Sequence, residues 1–382
     1  MPILPSQRHL FDIPREIAYF NCAYYSPQLN ESRDRLLAGV RAKSHAWTRL
    51  PPSFFDDAET LRGLWSRIFG GDADGYAVVP AASYALSTAA RAIEPHLNPG
   101  DRVLMIADEF PSNVLPWKRT AQEKGASLVT VPAPGDGDWT NAVLPFIEPR
   151  VKVVAISTCH WTTGARIDLE PIAAAARANG SSLVVDATQT LGAMPFPMDS
   201  VQPDFLTAAA YKWQLGPYGV GLLYVAPRWR NARPLEESWL ARDNAEDFTS
   251  LADYSDNYMK GARRFDVGEK GSLNTLPGAI AALEQIDAWG VENIASTLSM
   301  TNSRIAAHLE QLGFRVPIGR HRCPHMFGAV LPASYRGGLV AELRKRHIYI
   351  SQRGNSLRFA PHLWVDDHDV NRLLGTLDEL VG

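Results

Sequence analysis

Three cysteines in 382 residues, Cys22, Cys159 and Cys323, stand far apart and make neither a disulfide framework nor a CxxC pair. A formal net charge of −3 leaves no electrostatic footprint for nucleic acid or an anionic membrane. No apolar run approaches the length of a bilayer span. The opening MPILPSQRHLFDIPREIAYF lacks a basic stretch followed by an apolar one, so it does not read as a secretory signal. Internal repeats, low-complexity tracts and long charge runs are also missing. Together these absences lead us to expect a reduced, cytoplasmic setting. What remains is an ordinary globular composition, 46% hydrophobic and 21% charged, in a chain long enough for two domains. Ten tryptophans are many, and large amphipathic rings suit cores and subunit interfaces.

Through the middle of the chain, short β-like runs alternate with helix-like segments. Tyr76-Ala77-Val78-Val79 precedes a helical pattern over 83–91. Further apolar runs cover 101–106, 126–131 and 151–156, and LEPIAAAARAN (169–179) reads as an amphipathic helix ended by Gly180. Continuous apolar strands separated by helices predict a mostly parallel sheet covered on both faces. After a polar stretch at 244–260 the pattern changes. Long helices are predicted over 277–288 and 291–312, strands near 327–331, 348–351 and 357–360, and a terminal helix over 365–380. The fold expected is α/β: a large domain (15–255) with a mostly parallel sheet sandwiched by helices. A smaller α+β C-terminal domain (256–382) is joined by residues 1–14.

In such sheets ligands sit beyond the carboxyl ends of the strands. The polar residues just after the apolar runs are Ser83, Glu109, Thr158, His160, Asp186, Gln189, Tyr211 and Lys212. The stretch SSLVVDATQTLGAMPFPMDSVQPDFLTAAAYKWQLGPYGVGLLYV (181–225) carries the sharpest signal. Asp186 ends one apolar run and Lys212 follows the next, closed by the turn Gly216-Pro217-Tyr218-Gly219. A lysine at the mouth of a core strand loses hydration, which lowers its pKa and frees the amine as a nucleophile. That is the requirement for a Schiff-base lysine, and a carboxylate on a neighbouring strand end suits a pyridinium nitrogen. The pair points to pyridoxal phosphate.

With these residues in view the chain resembles the class V aminotransferase family of fold-type I pyridoxal-phosphate enzymes, nearest its epimerase-like branch. The resemblance is carried by NCAYYSP (21–27), DEFPSNVLPW (108–117), STCHWTTG (157–164), VDATQTLG (185–192), YKWQLGPYGVG (211–221), RRFDVGE (263–269) and LRFAPHL (357–363). It implies Lys212 as the Schiff-base lysine and Cα proton shuttle, Asp186 at the pyridine nitrogen and Gln189 at the phenolic oxygen. Ala82 and Ser83 at a helix start would bind the phosphate, although a simple helix N-cap has the same composition. The family's further hydroxyl is replaced by Ala209, which leaves Tyr211 to supply the contact. Phe110 would stack on the ring where desulfurases use His, and Trp161 would touch the cofactor edge or narrow the pocket. Ser272 and Asn274 fall where the family reaches a partner subunit's phosphate, so a homodimer is implied. Arg358 would clamp a substrate α-carboxylate, with Asn21, Ala23 and Tyr24 lining the mouth opposite.

Two chemistries are disfavoured. Cys159-His160 and Cys323-x-His325 read as too short and too widely separated for a metal site. A desulfurase needs a nucleophilic cysteine before the clamp arginine, and SQRGNSLR (351–358) has none. The expected reaction is transamination of a small amino acid; lyase or epimerase chemistry, or a binding protein without catalysis, are the alternatives.

Overall fold

Most of the apolar runs fold as strands with both faces covered, and only the edge strand Ser127–Val131 is partly exposed among them. The structure, a computed structural model, describes residues 2–332, 335 and 337–381. In chain order the strands are β1 (Ala18–Tyr19), β2 (Tyr76–Val79), β3 (Arg102–Ile106), β4 (Ser127–Val131), β5 (Val151–Ser157) and β6 (Ser182–Asp186). They continue as β7 (Phe205–Ala209), β8 (Gly221–Val225), β9 (Phe327–Val330), β10 (Ile348–Tyr349), β11 (Ser351–Arg353) and β12 (Ser356–Phe359). A seven-stranded sheet has the order β2-β8-β7-β6-β5-β3-β4. The pairs from β7 through β4 are parallel, and β8 runs antiparallel to both β7 and β2.

Alternate residues enter opposite cores. Leu104, Ile106, Val154 and Ile156 join one apolar cluster, while Val103, Met105, Val153 and Ala155 join the other. Neither face meets water, which is why these segments read as unbroken apolar runs. Helices α1 (Asn30–Lys43), α2 (Asp56–Phe69), α3 (Ala82–Ile93) and α4 (Pro111–Lys124) belong to the layers around this sheet. Because β8 reverses twice, β2 runs in the same sense as β7. The carboxyl ends of β2, β3, β5, β6 and β7 therefore lie along one sheet edge, and the loops leaving them gather there.

The C-terminal part builds an antiparallel sheet, β11-β12-β9, and β1 pairs in parallel with β10. Helices Val291–Gln311 and Asp367–Val381 accompany these strands, while Leu276–Trp289 packs on α1 and α2; each lies within two residues of the sequence reading. The polar stretch 244–260 forms short turns, and its Phe248 packs against Phe54 and Trp239.

The RRFDVGE segment has a structural task that the sequence did not reveal. Asp266 is fully buried and accepts from Arg62 Nη2 at 2.6 Å, Lys270 Nζ at 2.9 Å and the Val78 amide at 2.9 Å. Arg263 extends the network to Glu59 and Asp74. Burial alone pushes the Asp266 carboxyl up, but Arg62 and Lys270 outweigh it and hold it below the usual range. The network pins α2 and β2 to this segment, and so fixes the start of α3. Removing one member of a buried ion set leaves its partners charged and dry. Asp266→Ala is therefore expected to cost about 3–5 kcal/mol in denaturant unfolding. A loss below about 1 kcal/mol would mean that water already solvates the set.

Candidate active site

At the shared strand edge lies a cavity of about 240 Å³, and every loop that walls it leaves the carboxyl end of a strand. Lys212 enters from the loop after β7. That loop is tied back by Ala210 N to Val220 O, Gly216 N to Ala210 O and Leu215 N to Lys212 O, at 2.9 to 3.1 Å. From behind, the NCAYYSP segment seals the same backbone: the Ser26 amide and hydroxyl both donate to Tyr211 O, and Cys22 Sγ reaches Lys212 O at 3.6 Å. Gly192, at φ 105°, lets the VDATQTLG loop approach, since a Cβ there would lie 2.3 Å from the Trp213 carbonyl oxygen.

The Lys212 amine is nearly buried, 5.7 Å from the Phe110 ring centroid and 5.6 Å from that of Tyr211. Burial pulls it down to about 8; Asp186 opposes this and Arg358 adds to it. Asp186 Oδ1 accepts the Thr188 amide at 2.9 Å, and burial raises its carboxyl against the pull of Thr188 and Lys212. Gln189 is clamped on both ends, with Oε1 accepting Trp213 Nε1 at 3.0 Å and Nε2 donating to Ala23 O at 3.2 Å.

Pro80, Ala81, Ala82 and Ser83 form another wall at the start of α3. The residue before the helix is Ala81, and no side chain caps it; Ser83 sits inside the first turn. A simple N-cap is therefore not what this composition makes. The first-turn amides remain without a capping side chain beside the cavity, an arrangement that receives phosphate. Phe110 and Trp161 meet edge to face at 5.4 Å on a further wall, and Trp161 Nε1 donates to Asp108 O.

Other expected residues stand off the cavity. Arg358 is buried behind Trp161, donating through Nη1 to its carbonyl at 2.8 Å and through Nε to Ser351 Oγ at 3.2 Å. Asn21 bridges to Ala360, Ala23 is buried under Gln189, and Tyr24 is exposed. Ser272 and Asn274 precede the helix Leu276–Trp289, and the intervening Leu273 carbonyl lies against Gly39 of α1. Neither residue lines this chain's cavity; the role implied for them is toward a partner subunit.

Several residues that line the cavity carry no role in the sequence reading. Ser157 and Thr188 follow the strand-end rule and could have been found by it. Glu109 was visible as a strand-end polar group, but its contacts were not. Its carboxylate accepts the Phe110 amide at 2.8 Å and the Ser157 amide and hydroxyl at 3.1 Å, while burial pushes it up to about 7. Cys159, Cys323 and His325, which their spacing in sequence sets too far apart for a metal site, bring ligand-type atoms within 4.8 Å of one another. The loop after β5 bonds to the 322–323 segment, joining residues far apart in sequence.

A parallel sheet with a desolvated lysine, a carboxylate and an uncapped helix start around one cavity defines a fold-type I pyridoxal-phosphate protein. The family model for aminotransferase class V matches residues 53–357, and the chain belongs to this family. Its cofactor is pyridoxal 5′-phosphate. Among relatives, a "Probable cysteine desulfurase" of Pyrococcus abyssi is 25% identical over 97% of this chain and 96% of its own. The isopenicillin N epimerase of Streptomyces clavuligerus is 26% identical over 83% of each chain. The apo cysteine desulfurase of Thermococcus onnurineus NA1 shares the fold with a TM-score of 0.84 at 19% identity, covering 100% and 99% of the two chains.

The amine geometry sets a pH dependence. The neutral, nucleophilic form of Lys212 grows as pH rises through about 8, whereas an ordinary lysine needs roughly 10.4. Cofactor capture by apo-protein, followed at its visible absorption band, is expected to accelerate with a midpoint near 8. A midpoint above roughly 10 would show that the amine is solvated.

Proposed function

We propose that this protein is a pyridoxal-phosphate-dependent aminotransferase acting at Cα of a small amino acid. The observation that carries the reading is the desolvated Lys212 amine facing Asp186 on a cavity wall without a reactive thiol. Cys22, Cys159 and Cys323 are all buried, and burial pushes the Cys22 and Cys159 thiols well up. A protonated thiol is a poor nucleophile. The desulfurase chemistry named for the Pyrococcus relative is therefore not the reading we favour.

Bound pyridoxal phosphate supplies an electron sink for negative charge developing at the substrate Cα. Lys212 would hold the cofactor and, when free, carry a proton to and from the substrate Cα. Asp186 would keep a proton on the pyridine nitrogen, and Gln189, fixed by Trp213 and Ala23, would serve the ring oxygen. Amides at Ala82 and Ser83 take the phosphate. Phe110, a cavity-wall residue without an exchangeable proton, would pack on the cofactor and leave proton transfer to Lys212. Arg358, buried behind Trp161 and off the cavity wall, is assigned the substrate carboxylate; Trp161 holds that guanidinium by its carbonyl and has to yield for the two to meet. A homodimer, with Ser272 and Asn274 reaching the partner's phosphate site, belongs to the same proposal.

Lys212→Ala is expected to abolish the amino-acid-dependent visible shift and to lower turnover by at least about 10²–10⁴-fold. With wild-type protein, product should form only when an acceptor keto acid is present. Stoichiometric pyruvate or ammonia without an acceptor would replace transamination by elimination.

A further inference from the structure

The β11–β12 hairpin carries a second arginine that the proposed reaction does not use. Its register pairs Ser351 with Arg358 and Arg353 with Ser356. Side chains directly opposite in an antiparallel pair share a face, so Arg353 and Arg358 are diagonal neighbours on one side of the hairpin. Both are tied to the cavity wall through Trp161. The Arg358 guanidinium donates to the Trp161 carbonyl, and the Arg353 guanidinium lies 5.9 Å from the Trp161 ring centroid. Trp161 itself lines the cavity.

The other bonds of this pair go to neutral groups: Arg353 Nη1 to Gln352 O at 2.8 Å and Arg358 Nε to Ser351 Oγ at 3.2 Å. Among the described residues no carboxylate forms an ion pair with either arginine. Most other arginines here have one, as with Arg8 and Asp369 or Arg230 and Asp72. Two adjacent cations without an anion repel each other, and the repulsion registers at the site. Burial first, and then Arg353, lower Arg358 to about 10, and Arg353 also helps hold Lys212 down. An anion placed between the guanidinium groups would relieve both. Arg358 accounts for one carboxylate, which leaves Arg353 for another.

We infer that Arg353 recognises a second acidic group on the substrate, so that the amino acid taken is dicarboxylic, of the aspartate or glutamate type. The inference rests on reading Arg358 as the α-carboxylate clamp and Lys212 as the cofactor lysine. A guanidinium suits the task, since its planar fork meets a carboxylate through two parallel hydrogen bonds. The Arg353 guanidinium stands 5.9 Å from the Trp161 ring centroid, beside the cavity wall and not on it, so a second carboxylate would meet it past that ring. Neutral amino acids would leave the Arg353 charge uncompensated and gain nothing from it.

The test uses ligands that cannot react with Lys212. Succinate and butyrate have the same carbon count and differ in the second carboxylate; their binding to the cofactor-loaded protein is measured by calorimetry. Succinate is expected to bind at least about tenfold more tightly, and Arg353→Gln should bring the two within about threefold. Arg353→Lys, which keeps the charge but loses the fork, should give an intermediate ratio and guards against a folding defect in the first variant. Equal binding of the two acids to wild-type protein, or an unchanged preference in Arg353→Gln, would overturn the inference. The visible absorption band of each protein reports separately on Lys212. A normal band with no dicarboxylate preference sinks only the Arg353 assignment, whereas a missing band sinks the function beneath it.

Discussion

Lys212 has to lose most of its water while one carboxylate stays near enough to keep the loss from becoming prohibitive. Desolvation is the largest influence on its amine, and Asp186 is the main counterweight. Much of the surrounding architecture serves that balance. The parallel strand order brings the end of β6, with Asp186, beside the end of β7. The N-terminal segment closes off the backbone of Tyr211 and Lys212, and aromatic rings occupy the sides from which water would approach. A lysine free in solvent would stay protonated at neutral pH; one buried without a carboxylate would strain the fold.

The protein treats its other buried charges in the opposite way. Around Asp266 each charge meets a partner at hydrogen-bond distance, and the set holds helix, strand and loop in register. Lys212 and Glu109 at the cavity, and Arg353 and Arg358 behind its Trp161 wall, are left with incomplete compensation. The difference separates scaffold from site: paired charges fix geometry, and underpaired ones keep reactivity or affinity for what enters. Glu109 illustrates the second case. Three hydrogen bonds do not offset its burial and the nearby charge of Asp186, so its carboxyl is pushed up to about 7.

The elements could be read from the chain because their signals are local. An apolar run between turn residues gives a strand, and LEPIAAAARAN with Gly180 gives a helix whose end is left-handed as expected. Asp186 and Lys212 were legible for the same reason, each ending a run of its own. What escaped depends on contacts between distant segments. Nothing near RRFDVGE says that its aspartate pairs with Arg62, and nothing near Cys159 says that Cys323 and His325 lie beside it. Ser83 shows the limit of composition, since a hydroxyl at a helix start reads alike whether it caps the helix or faces a ligand. Only the position of Ala81 before the first turn separates the two.

The same division explains why cofactor and reaction are not equally legible. The groups that suit the cofactor come from strand ends, whose positions the sheet dictates. Those that would select a substrate come from elsewhere: Arg353 and Arg358 stand on a hairpin in a different sheet, behind Trp161. A hairpin face can exchange an arginine for a neutral residue without disturbing β6 or β7, because its register depends on backbone pairing and not on those side chains. Substrate choice can therefore change while Lys212 and Asp186 stay fixed. Within one family the reaction is then decided at the layer where sequence patterns are weakest, and geometry is needed to find the residues that decide it.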